Sequence, residues 1–109
     1  MNTYMTIFYF NFGVSNRINA GLIFFDDENC IVKINNDRLK FIKTIKPESY
    51  ELFEMAVTGF ESYYNKNIPT QKEIKRMSAY QNGVFKIDEP KKIELELTTY
   101  NFMRYFKLI

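Results

Sequence analysis

The rhythm of apolar and polar positions changes three times along this 109-residue chain. From Thr3 to Phe12 nearly every position is aromatic or β-branched. A run without alternation predicts a central strand covered on both faces. Gly13-Val14-Ser15-Asn16 then supplies turn formers, and the apolar stretch Ile18 to Phe25 predicts an antiparallel partner. Gly21 in its middle has no side chain, so it marks a bulge or the close approach of a neighbouring backbone. The polar tip Asp26-Asp27-Glu28-Asn29 leads into a third strand, Cys30 to Asn35, and completes a three-stranded meander.

Helical spacing follows. Asn36-Asp37 opens a short helix or turn in which Leu39 and Ile42 share a face. Pro47 is expected to start the main helix, with Glu48 and Glu51 near the positive end of its dipole. Tyr50, Phe53, Val57, Phe60 and Tyr64 recur at three- and four-residue intervals as one core-facing stripe. Gly59 inside this helix costs about 1 kcal/mol relative to Ala and is read as a close helix-to-sheet contact. Thr70-Gln71-Lys72-Glu73 has the form of a capping box ahead of Ile74 and Met77.

Strand-like patterning then returns. Asn82-Gly83 turns the chain into a strand over Val84-Phe85-Lys86-Ile87, which Pro90 with Lys91 and Lys92 breaks. Ile93 to Thr99 alternates as a half-solvated strand does, and Phe102, Met103 and Phe106 predict a terminal helix. The expectation is a single α+β domain over residues 1–109. Its antiparallel sheet would have about four to five strands, packed against one long and one or two short helices.

Composition sharpens this picture at three points. Hydrophobic residues make up 46% and aromatic residues 17%, carried by 11 Phe and 8 Tyr, so a core is assured and some rings should stay exposed. A net charge of +2, with signs mixed throughout, argues against a polyanion or a membrane as obligate partner. The lone Cys30 can form no internal disulfide and reads as a small buried hydrophobe. With apolar runs too short to span a bilayer and no leader-like start, this implies a cytoplasmic protein.

Candidate chemistry is thin. With 0 His the chain lacks the commonest general base and metal ligand. No Gly-rich phosphate cradle precedes a helix. The acidic tip at Asp26 to Glu28 lacks the Gly and distal Glu of a calcium loop, and Glu94 with Glu96 reads as a solvated strand face. No catalytic, cofactor or metal residue is assigned, and no enzymatic activity is expected.

Two surface features remain. Arg38, Lys40, Lys43 and Lys46 form one basic stretch beside aromatic residues, and Lys72, Lys75 and Arg76 form another; together they are candidate nucleic-acid contacts. Balancing carboxylates at Glu48, Glu51 and Glu73 and the near-neutral total weigh against that use. Exposed aromatics favour a protein partner instead, with Tyr63, Tyr64, Tyr80, Tyr100, Tyr105 and Leu108 as candidate contacts.

Arg17-Ile18-Asn19-Ala20-Gly21-Leu22-Ile23, within Tyr4 to Phe25, resembles the start of a bacterial family catalogued as domain of unknown function 3037. Asn19 and Gly21 fall on that family's Asn and Gly. Arg38-Leu39, Gly83 to Ile87 and the apolar close at Phe102, Met103 and Phe106 are similar to its later elements. Asn16 stands where the family tends to have Glu. The resemblance implies a small cytosolic bacterial protein without an established activity, sometimes encoded beside kinase genes. Asn19 and Gly21 have a structural reading: an amide bonding turn backbone and a glycine admitting its neighbour.

The expected function is a non-enzymatic interaction module that binds a protein partner, or itself as a homo-oligomer, through an aromatic surface. The alternatives are a nucleic-acid-binding accessory protein and a phage-encoded inhibitor of a bacterial defence complex.

Overall fold

β1 (Thr3–Asn11) is the strand on which the others assemble. The computed structural model describes residues 2–13, 17–79, 83 and 85–109. β2 (Arg17–Phe25) pairs along one edge of β1, and β3 (Cys30–Ile34) pairs with β2. Two short strands share the other edge of β1: β4 (Phe85–Ile87) opposite Phe8 to Phe10, and β5 (Lys91–Ile93) opposite Thr3 to Met5. Among the described residues every pairing is antiparallel, and with four α-helices there the chain has an α+β fold.

The helices divide between the two faces of the sheet. α1 (Asn36–Ile45), α2 (Tyr50–Lys66) and α3 (Gln71–Ala79) cover one face, burying Leu39, Ile42, Phe53, Val57, Tyr64 and Ile74 with Phe8, Phe10, Ile23 and Phe25. α4 (Thr99–Phe106) covers the other, packing Phe102, Met103 and Phe106 with Leu22, Phe24, Met5 and Ile7. Side chains alternate across a strand, and β1 is apolar on both sides, so each face needs a cover.

A bulge in β2 sets the register. Phe8 opposes Gly21 while Tyr9 opposes Asn19, which leaves Ala20 as the extra residue. The Ala20 carbonyl accepts from the Asn35 N–H at 2.7 Å, and the Asn35 side chain caps α1 by accepting from the Arg38 N–H at 3.2 Å. A Cβ at position 21 would collide with the Phe8 ring and the Lys33 carbonyl oxygen, so only glycine fits. Phe8 in turn meets Phe60 at 4.8 Å and Phe85 at 6.0 Å, Phe10 meets Phe53 at 5.0 Å, and Phe60 meets Tyr64 at 4.9 Å. Offset and tilted rings at these spacings add to the burial of their area.

Several elements differ from the sequence expectation. Pro47 opens a 3₁₀ turn, Pro47–Ser49, and α2 begins only at Tyr50. Thr70 does cap α3 by accepting from the Glu73 N–H at 3.0 Å, but the Glu73 carboxylate turns away from the cap and accepts from the Tyr64 hydroxyl at 2.7 Å. Lys91 and Lys92, read as a break, lie inside β5. The strand expected from Ile93 to Thr99 stops at Ile93: the register pairs Ile93 with Thr3, where β1 begins, so the following backbone has no strand to pair with. There Thr98 caps α4, accepting from the Asn101 N–H at 3.1 Å.

Gly59 is a further correction. It is exposed, and a Cβ built on it would meet nothing within 4 Å, so no helix-to-sheet contact requires it. The turn read at 13–16 and the strand start at Val84 fall partly outside the described residues, as does Asn16.

The two glycines should therefore respond oppositely to one methyl group. Gly21→Ala should destabilise the fold by about 3 kcal/mol through overpacking against backbone. Gly59→Ala should stabilise it by about 1 kcal/mol through helix propensity. Urea unfolding of the two variants at low protein concentration checks both signs.

Candidate protein-interaction surface

α2 is amphipathic in an unusual way. Its buried stripe, Phe53, Val57 and Tyr64 with Phe60 at the margin, faces the sheet. At 3.6 residues per turn, roughly a quarter-turn round the helix brings up a second stripe: Leu52, Ala56, Gly59 and Tyr63, with Met55 beside it. Leu52 is 68% exposed, Met55 71% and Tyr63 53%. Such residues normally occupy an interior, and their exposure on one side of the helix makes this row the candidate surface. The helix is held by contacts that leave Leu52 and Met55 exposed. Besides the buried stripe, the Glu61 carboxylate accepts from the Ile34 N–H of β3 at 2.9 Å. Phe41 and Ile45, one turn apart on α1, are exposed as well.

The structure distributes the expected contact residues unevenly. Tyr63 lies in the outward row, its ring edge-on to Tyr64 at 4.8 Å. Tyr64 is 4% exposed and belongs to the core, because its position completes the sheet-facing stripe; its ring is not available to a partner. Tyr100, 72% exposed, stands on α4 with the Arg104 guanidinium 5.8 Å from its ring centre, and Leu108 is exposed just beyond the helix. Tyr105 packs edge-on to Phe24 at 5.7 Å, part of the smaller core. Tyr80 lies outside the described residues.

Leu52 and Met55 were not singled out by the spacing argument. Their signal was present in the sequence, as apolar residues falling off the stripe that Tyr50, Phe53, Val57, Phe60 and Tyr64 define.

The basic stretches sit on two different helices of the same sheet face. Lys40, Lys43 and Lys46 are exposed on or just after α1 and Arg38 is half-buried, while Lys72, Lys75 and Arg76 are exposed on α3. α1 lies over β2 and α3 against β4, with β1 between these strands. Lys43 Nζ sits 5.4 Å from the Tyr50 ring centre and Lys75 Nζ 4.0 Å from a Glu89 oxygen.

The polar residues that do converge satisfy one another. Arg17 forks onto Asp88, with its two N–H groups donating at 2.9 and 2.5 Å, and its Nε donates to Asn19 Oδ1 at 2.8 Å. Its guanidinium lies 3.8 Å from the Tyr9 ring centre. Asn19 thus orients an arginine, while the turn residues 14–16 that its amide was expected to bond lie outside the described residues. This clamp ties the start of β2 to the residue after β4, across β1. At the acidic tip, Asp26 Oδ1 accepts from the Glu28 and Asn29 amides at 2.8 and 2.7 Å, forming an Asx turn. Among the described residues no group of three His, Cys, Asp or Glu side chains could hold a metal ion, and no buried side-chain nitrogen or oxygen lacks a partner. No described helix is long and apolar enough to cross a membrane.

No family model, no curated protein and no solved structure matches the chain. The fold and this surface define an α+β domain with a helix that is apolar on two sides.

Burial raises the Cys30 thiol from 9.0 to about 12, with nearby Asp26 adding to the effect. Burial, then the bond to Glu73, also raises the Tyr64 hydroxyl above its ordinary 10.0. Both groups keep their protons in the folded state after the unfolded chain has begun to lose them. Stability should hold up to about pH 9 and fall as pH rises toward about 12. Urea midpoints at about pH 8 and about pH 10.5 measure the fall, and Cys30→Ala should lessen it. At about pH 8 native Cys30 should alkylate at least about a hundredfold more slowly than a free thiol. Tyr64→Phe, which leaves Glu73 without its donor, should cost about 1 kcal/mol in the same assay.

Proposed function

We propose that this chain is a non-enzymatic protein-interaction module that engages a protein partner through the outward row of α2. The observation that carries the reading is the exposure of Leu52, Met55 and Tyr63 on a helix already anchored by its other face. Tyrosine and methionine are enriched where proteins meet, and an aromatic ring contributes a large contact area with few rotatable bonds. Tyr100 and Leu108 on the opposite side of the sheet form a smaller, secondary patch, with Arg104 between them. The separation of the two basic stretches supports this reading over nucleic-acid binding. The resemblance to the family of domain of unknown function 3037 and a cytoplasmic setting, where the lone Cys30 stays reduced, belong to the same proposal.

The test is affinity capture from a bacterial lysate with the wild-type chain and with Leu52→Asp and Tyr63→Asp as baits. Both substitutions fall at exposed positions and should shift stability by no more than about 1 kcal/mol. The expected result is a partner retained by the wild type and lost from both variants. Equal capture by all three baits would refute the reading, as would capture lost only on Tyr100→Asp or Leu108→Asp.

A further inference from the structure

Resting on the reading of α2 as a docking surface, we infer that its occupant is a second copy of this chain, bound antiparallel about a two-fold axis midway between Ala56 and Gly59. The outward row is spaced four, three, four, as Leu52, Ala56, Gly59 and Tyr63. That is the seam of a left-handed helix pair, long enough for three turns. Read backwards it matches itself: large, small, small, large. In an antiparallel pair, Leu52 of each copy lies against Tyr63 of the other, and Ala56 against Gly59. A self-matching row of this kind is what a two-fold interface requires, since one patch must complement its own rotated image.

Charge selects the direction. Glu48, Glu51 and Glu54, all exposed, crowd the start of α2, and exposed Lys66 ends it. A parallel pair would set Glu48 of one copy beside Glu48 of the other. An antiparallel pair brings Glu48 of each copy near Lys66 of the other and opposes the two helix dipoles. Glu61, the remaining carboxylate of the helix, is turned inward to the Ile34 amide.

Gly59 supplies an independent argument. A helix-interior glycine lowers stability, and this one has open space where its side chain would be and no fold role. Beside exposed Ala56 it lowers the helix surface between two large apolar groups, which admits another backbone at short range. Met55 would close over the flank of that contact.

A contact made by one helix row falls at the small end of specific interfaces, so the expected dissociation constant is on the order of 10 μM. Sedimentation velocity and light scattering on the full chain should show a concentration-dependent dimer. Gly59→Leu should be monomeric throughout that range yet thermally no less stable, since the monomer has room for the side chain. An equimolar mixture of Ala56→Cys and Gly59→Cys chains should cross-link under mild oxidation more than either alone.

Four results would overturn the inference. They are a monomer up to about 200 μM, a dimer that Gly59→Leu leaves intact, cross-linking of Ala56→Cys chains alone at the mixture's level, and a Gly59→Leu monomer that is unfolded. A monomer that still captures a partner in a Leu52-dependent way would remove the second copy but keep the docking surface. A monomer without such capture would remove both.

Discussion

The Phe8 ring occupies the space that a side chain on Gly21 would need, and most of the architecture follows from that one fit. With the ring seated there, β1 and β2 keep register by accommodating Ala20 as a bulge. The displaced Ala20 carbonyl then binds the amide of Asn35, the residue that caps α1. The same ring touches Phe60 on α2 and Phe85 on β4, so a contact between two strands also places a helix and the far edge of the sheet. Close-packed interiors transmit such constraints because neighbouring groups have little room to shift.

The two covers of the sheet differ in kind. The larger side is an aromatic network running from Phe12 and Phe53 through Phe10 and Phe85 to Phe60 and Tyr64. The smaller is a single two-turn helix, α4, set over Leu22 and Phe24. Where α4 does not reach, the sheet is closed by Tyr9, Arg17, Asn19 and Asp88. These polar groups bind each other, the arginine and aspartate neutralising their charges in a two-point contact.

Helices of globular proteins bury one apolar stripe and present polar residues elsewhere. α2 buries a stripe with Phe53, Val57 and Tyr64 and leaves another in water with Leu52, Met55 and Tyr63. Exposed apolar area of this kind is an unfavourable contact with water that a partner's surface would relieve. The two stripes differ in effect, since the first holds the fold and the second touches it only where the Tyr63 ring meets Tyr64.

Much of the architecture could be read from local pattern. The meander, the sheet-facing stripe of α2, the Thr70 cap and the terminal helix all rest on periodicity or on residues a few positions apart, where the chain itself supplies the partner. Gly21 was legible as a bulge or a close approach, and both hold. The strand end at Ile93 was not legible, because it depends on where β1 begins, some 90 residues away in the chain. The Tyr64 to Glu73 bond and the Arg17 to Asp88 clamp were likewise hidden, since each joins residues from different elements. Gly59 illustrates the division best: its cost to a helix is a property of the residue, but whether that helix faces the sheet or water at residue 59 is settled only when α2 docks. The sequence by itself determined most of the strands and helices and which side chains can be buried, but not the short edge strand at Lys91–Ile93. Only the tertiary structure decided which apolar residues remain outside, because burial is a property of what the rest of the chain brings alongside.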